Sequence, residues 1–121
     1  MGYVTTESRD ILLKQARMLV LPSFDEGFGL PILEAMSAGV PIVASNRGAL
    51  PEVLGDSGLL VDPTDTQSLA NAIQKTLSDS HHVRVSVTRG IQRASHYSWQ
   101  RSARILRDAY AMAIENRRLN I

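Results

Sequence analysis

Three short apolar runs limit what this chain can fold into: "RMLVLPS" with Met18–Leu21 at its centre, "VPIVAS" over 40–45, and "SGLLVDP" over 57–63. Each is too short for a helix, and each ends at a turn former: Pro22-Ser23, the "SNRGA" loop (Ser45–Ala49), and Asp62-Pro63. Continuous apolar runs of this length suit strands covered on both faces, and the first reads as a strand buried on both sides. Helical patterns separate the runs. Strands joined through helices must run parallel, with right-handed crossovers. The expected class is therefore α/β, a layered domain with a short parallel sheet and flanking helices.

The intervening helices carry their own boundary signals. Thr5 can cap a first helix with Ile11, Leu12, Gln15 and Ala16 at helical spacing. A second is expected from Pro31 to Ala38, with Pro31 at the first helical position and Gly39 just past the end. "LPEVL" reads as one or two helical turns. In "TDTQSLANAIQKTLSD", Thr64 and Gln67 stand in capping-box register ahead of Leu69, Ala72, Ile73 and Leu77 on one face. "HHVRVSVTRG" alternates Val83, Val85 and Val87 with period two, but Ile91 and Ala94 continue it at helical spacing, and a helix is expected. Ser98 is placed to cap a closing helix over 98–121, with Trp99, Ala103, Leu106, Tyr110 and Ala113 in one stripe. The 121 residues are expected to form a single domain, 1–121.

Composition removes several classes of function. The 13 basic and 12 acidic residues leave a formal charge of +1, with no general bias toward nucleic acid or an anionic membrane. With no cysteine there is neither a disulfide nor a zinc-thiolate site. No apolar stretch nears the roughly 18 residues of a spanning helix, and no leader pattern opens the chain. A cytoplasmic location is expected, with peripheral attachment to the membrane left open. His81, His82 and His96 read as surface residues, and no metal or other cofactor is expected.

In a parallel sheet, ligands bind beyond the carboxyl ends of the strands. Two glycine-bearing loops are expected there, "SFDEGFGLP" after the first strand and "SNRGA" after the second. Gly27 and Gly29 carry no side chains, so backbone N–H groups can approach a ligand. The N–H groups of Phe28, Gly29, Leu30 and Ile32 cluster at a helix start, where the macrodipole favours an anion such as phosphate. Glu26 precedes the glycines and Glu34 lies a turn into the helix. Each carboxylate can accept from two adjacent hydroxyls, as on a sugar or a ribose. Taken singly the same residues have plainer explanations. Glu26 suits a solvated loop, and Glu34 near a helix start gains roughly 0.3–1 kcal/mol from the dipole.

The stretch "FDEGFGLPILEAMSAGVPIVAS" resembles the Glu-x7-Glu signature of the group 1 (family 4) retaining glycosyltransferases of GT-B fold. The similarity continues through "NRGALPEVLGDSGLLVDPTD" to "YSWQRSARIL", and takes in the opening "GYVTTESRDILLKQARMLVLPS". It implies a partial Rossmann-like domain, the second half of a GT-B C-terminal domain. By this resemblance Glu26 is the catalytic candidate and binds hydroxyls of the donor sugar near C3 and C4. Gly27, Phe28 and Gly29 line the sugar and diphosphate, Leu30 offers its N–H to the phosphate, and Glu34 takes the ribose hydroxyls. No metal is implied, because fixed donors and the helix dipole stabilise the departing diphosphate.

The same resemblance implies a nucleotide diphosphate sugar as donor, an unknown acceptor, and hexosyl- or mannosyl-type transfer with retention. It also implies an N-terminal domain, and an arginine and a lysine for the diphosphate, that have no counterpart in these residues. Arg47 is no obvious substitute, and Gly48-Ala49 stands where many relatives have two glycines. The chain alone is therefore expected to be inactive in transfer. The alternative is a non-catalytic half-domain that binds nucleotide or a partner subunit, and a third possibility is an α/β remnant with no assembled site. The outer edge of the first strand is expected to be bare, inviting a homodimer.

Overall fold

A computed structural model describes residues 4–119. In chain order its elements are α1 (Thr6–Gln15), β1 (Leu19–Leu21), α2 (Leu30–Ser37), β2 (Ile42–Ser45), α3 (Leu50–Leu54), β3 (Leu59–Val61), α4 (Thr66–Ser78), α5 (Ser80–Ala94) and α6 (Trp99–Leu119). The strands form one parallel sheet in the order β1-β2-β3, with Leu19 beside Ile42, Val43 beside Leu59, and Ser45 beside Val61. The α/β class and the parallel strands are as expected from the apolar runs.

Side chains along β2 alternate between two cores, as the period of a strand requires. Ile42 and Ala44 join Ile32, Ala35 and Met36 of α2 and Leu50, Val53 and Leu54 of α3. Val43 points the other way, to Val61 and to Ala72 of α4. All of β2 is buried, whereas Leu19–Leu21 of β1 are only half-buried. The run expected to be covered on both faces is thus an edge strand. Its outer side carries no partner among the described residues, so nothing completes its cover.

The helix ends show which local signals operate. Thr5 caps α1, accepting from the Ser8 N–H at 3.3 Å. Ser98 accepts from the Arg101 N–H at 3.1 Å and caps α6. Pro31 falls at the second position of α2, one later than expected, because Gly29 is the N-cap and Leu30 opens the helix. At α4 the cap is Asp65, not Thr64. The Asp65 carboxylate accepts from the Ser68 N–H at 3.0 Å, while the Thr64 hydroxyl donates to Asp62 and Gln67 turns to Asn71. A carboxylate is the stronger acceptor at a helix start, and its charge suits the dipole.

The segment with alternating valines is helix α5. Its buried residues are Ser86, Gly90 and Ala94, spaced by four and all small, and that stripe lets α5 lie close against α2. A Cβ added at Gly90 would sit 3.4 Å from Met36 Cγ and 3.7 Å from Met36 Cβ, an ordinary packing distance. Gly90→Ala is therefore expected to stabilise the chain by about 0.5–1 kcal/mol, the helical cost of glycine relative to alanine. A thermal melt reads this as a rise of a few degrees. A fall would mean that the α2–α5 contact requires the bare backbone.

Exposed apolar residues are most numerous on the first and last helices. On α1, Ile11 and Leu12 face solvent, and Leu13 and Ala16 make the core contact. On α6, Ala103, Leu106, Tyr110 and Ala113 of the expected stripe are exposed, and the Trp99 side chain lies outside the described residues. Met1–Tyr3, Asn120 and Ile121, which belong to the expected 1–121 domain and, for the last two, to the expected 98–121 helix, lie outside them too. No helix among the described residues is long and apolar enough to cross a membrane.

Candidate functional site

The loops that follow β1 and β2 lie together at the carboxyl edge of the sheet, and a backbone bond ties them. The Ala49 N–H donates to the Glu26 carbonyl at 3.1 Å. Beside that bond, Gly48 has φ +57°, and a Cβ there would fall 2.8 Å from the Glu26 carbonyl oxygen and 3.0 Å from its nitrogen. Only glycine lets the second loop press against the Glu26 backbone in this way. The Glu26 side chain is half-buried, and its Oε1 accepts from the Ser23 hydroxyl at 3.2 Å. Glu26 is thus held at backbone and side chain alike, unlike a freely solvated loop residue.

The two glycines of Gly27-Phe28-Gly29 serve different ends. A Cβ at Gly27 would meet nothing within 4 Å, so the fold leaves open space above it. Gly29 is buried with φ +77°, and a Cβ there would lie 3.3 Å from Leu50 Cδ2. Its missing side chain admits α3, so only its backbone is available to a ligand. Phe28, between them, is exposed.

Three of the four N–H groups expected at the start of α2 are free. No acceptor among the described residues takes the N–H of Phe28, Gly29 or Leu30. Ile32 is the correction: its N–H donates to the Gly29 carbonyl at 3.0 Å, in a tight first turn that Leu33 joins at 3.3 Å. Gly29 is the N-cap, so its carbonyl is the first acceptor of the helix and serves both donors. Glu34 lies one turn on, half-exposed, with Oε1 3.3 Å from Arg9 Nη1. It borders two grooves, one of about 610 Å³ between α1, α2 and the start of α6, the other of about 580 Å³ along α1 and β1.

The neighbouring charges are already committed. Arg47 places Nη2 3.3 and 3.4 Å from the two Asp62 carboxylate oxygens, and its N–H donates to the buried Ser45 hydroxyl at 3.0 Å. Bonds from the Thr64 N–H, then the Thr64 hydroxyl, then Arg47 hold the Asp62 carboxyl below the ordinary value of 3.8. Arg47 therefore braces the loop across to the end of β3. Glu52 lies in the first turn of α3. The Arg93 side chain closes the other end of α3, donating from Nε to the Val53 carbonyl at 2.7 Å and from Nη2 to that of Glu52. Among the described residues no group of three or more His, Asp or Glu could hold a metal ion.

Gly48 and Arg9 are the site residues that motif spacing did not single out. A glycine in "SNRGA" signals a turn, but which backbone it touches depends on a loop twenty residues earlier.

Residues 1–79 match the model of the family described as glycosyl transferases group 1. The chain is 45% identical over 112 residues to the O-antigen chain mannosyltransferase B of Escherichia coli, covering 93% of this chain and 29% of that protein. It is 39% identical over 115 residues to the MMP alpha-(1->4)-mannosyltransferase of Mycolicibacterium hassiacum, covering 92% and 28%. Among solved structures, sucrose-phosphate synthase from Thermosynechococcus elongatus superposes with a TM-score of 0.84 at 33% identity, over 96% of this chain and 30% of that one. The C-terminal domain of a group 1 family glycosyl transferase from Francisella tularensis gives 0.70 at 30% identity, over 78% and 50%. The chain thus spans less than a third of the length of either mannosyltransferase.

Proposed function

Since this chain belongs to the group 1 glycosyltransferases and has the fold of a GT-B C-terminal domain, we propose that it forms the donor side of an enzyme moving a sugar from a nucleotide diphosphate to an acceptor. The observation that carries this reading is the row of free N–H groups from Phe28 to Leu30 at the start of α2, set between the carboxylates of Glu26 and Glu34. Those donors and the helix dipole suit a diphosphate, and they favour it most as charge builds on the leaving group. Glu34 accepts from the ribose hydroxyls. Glu26, braced by Ser23 and Ala49, accepts from hydroxyls of the transferred sugar. The open space over Gly27 admits the sugar ring.

Two of the more similar relatives are named as mannosyltransferases, which favours a hexose of that type as the transferred group. Transfer with retention is part of the proposal, with the acceptor oxygen held beside the anomeric carbon. Positioning an acceptor beside the anomeric carbon accounts for much of a transferase's rate. Most of that positioning falls to parts of the relatives that this chain does not span, so the chain alone is proposed to bind donor without useful transfer. The bare edge of β1 is the proposed seam for the missing strands, with a second copy of the chain as competing occupant.

The test is a backbone NMR titration of the 121-residue chain with UDP, GDP, ADP and their sugar conjugates. Saturable shifts over Phe28 to Glu34 are expected with one base. Glu34→Ala is expected to weaken that binding about ten- to a hundredfold, the value of hydrogen bonds to a charged group, while the spectrum elsewhere stays folded. A folded wild-type chain whose 28–34 amides ignore every ligand rules the reading out.

A further inference from the structure

The strongest unassigned contact at the site lies between two helices. Arg9, in the first turn of α1, places Nη1 3.3 Å from Glu34 Oε1 and Nη2 3.5 Å from Asp10 Oδ1. Its guanidinium fork is thus split between two carboxylates. The backbone of that turn is fixed in turn, since the Arg9 N–H donates to the Thr5 carbonyl at 2.9 Å under the Thr5 cap. Resting on the reading above, we propose that Arg9 is a positioning residue that sets the Glu34 carboxylate in the orientation needed for a vicinal diol.

Bidentate acceptance from two adjacent hydroxyls requires both oxygens of Glu34 in one plane facing the ligand. A glutamate on a half-exposed helix face otherwise samples several rotamers, and ordering it on binding costs affinity. Arg9 lies 3.3 Å from Oε1 as an ion pair, which biases the carboxylate toward α1 and leaves its lone pairs to a ligand. Asp10 draws the other arm of the guanidinium, with Oδ1 3.5 Å from Nη2. A lysine would supply the charge without the fork. The pair is half-exposed, which keeps its effect modest.

The test compares a nucleoside diphosphate with its 2′,3′-dideoxy counterpart, titrated into the wild-type chain and into Arg9→Ala, Arg9→Lys and Glu34→Ala. The quantity read is the ratio of the two dissociation constants, because a general loss of fold or of phosphate binding weakens both ligands alike. Expected is a clear preference for the ribose form in the wild type, collapse of that preference toward one in Glu34→Ala, and a drop of about threefold in Arg9→Ala. Arg9→Lys should lie between wild type and alanine. If Arg9→Ala keeps the wild-type ratio while Glu34→Ala loses it, the proposal falls and the ribose reading stands. If Arg9→Ala weakens both ligands equally, Arg9 serves the phosphate or the fold and the proposal again falls. If Glu34→Ala keeps the ratio, or the wild type binds neither ligand, the ribose reading fails and takes the proposal with it.

Discussion

Substituting Gly48 by alanine is expected to destabilise the chain by about 2–4 kcal/mol and to dislodge Glu26, two effects with one cause. At φ +57° any side chain is strained, which costs on the order of 1–3 kcal/mol. The added methyl also meets backbone, 2.8 Å from the Glu26 carbonyl oxygen, where no rotamer change can relieve it. Relief comes from moving the loop that carries Glu26, which breaks the 3.1 Å bond from the Ala49 N–H. Urea unfolding measures the first effect and the amide shifts of Glu26 to Leu30 the second. Gly27→Ala is the control. Its new Cβ meets nothing within 4 Å, so stability should change by no more than about 0.5 kcal/mol. If both variants unfold at the wild-type midpoint, the two loops are not packed as described.

Ile32→Ala is expected to cost about 3–4 kcal/mol. Ile32 is wholly buried beneath α2 and shares its core with Leu50 and Leu54. Removing its outer carbons loses their transfer free energy and leaves a cavity, which in buried aliphatic positions amounts to about 2–5 kcal/mol. A domain of this size has about 5–15 kcal/mol in all, so at least about a fifth of the stability rests on this side chain. The loss reaches the site as well, because Ile32 lies between Leu30 and Glu34 on the same short helix. Urea unfolding should show a lower midpoint with an unchanged slope. Ile32→Val, which removes a single methylene, should cost about 0.5–1.5 kcal/mol. An unchanged midpoint in the alanine variant would mean that α2 is not docked through Ile32.

Much of the candidate site was legible because its signals are local. Glycine flanked by strand and helix patterns, a proline near a helix start, and two glutamates eight apart all act within a few residues. Backbone preference and helix geometry carry that information without reference to the rest of the fold. The errors also have local causes. The capping-box match drew attention to Thr64, whereas the adjacent Asp65 is the better acceptor and carries charge. Spacing alone places the Ile32 N–H among the free donors, because a tight first turn is not visible in it.

What lay beyond reach depends on contacts across distance in the chain. That Arg93 closes the end of α3, forty residues earlier, follows only once α5 has packed on α2. The same holds for Gly48 against Glu26 and for Arg9 against Glu34. The sequence by itself determined the strands, the order of the helices and the edge of the sheet where the two loops meet, because apolar periodicity and crossover handedness leave few other arrangements. Tertiary structure alone decided that β1 is only half-buried, that one glycine of the pair faces the core and the other open space, and how both carboxylates are held. Those outcomes depend on which surfaces come within a few ångströms of one another, and a one-dimensional pattern does not record that distance.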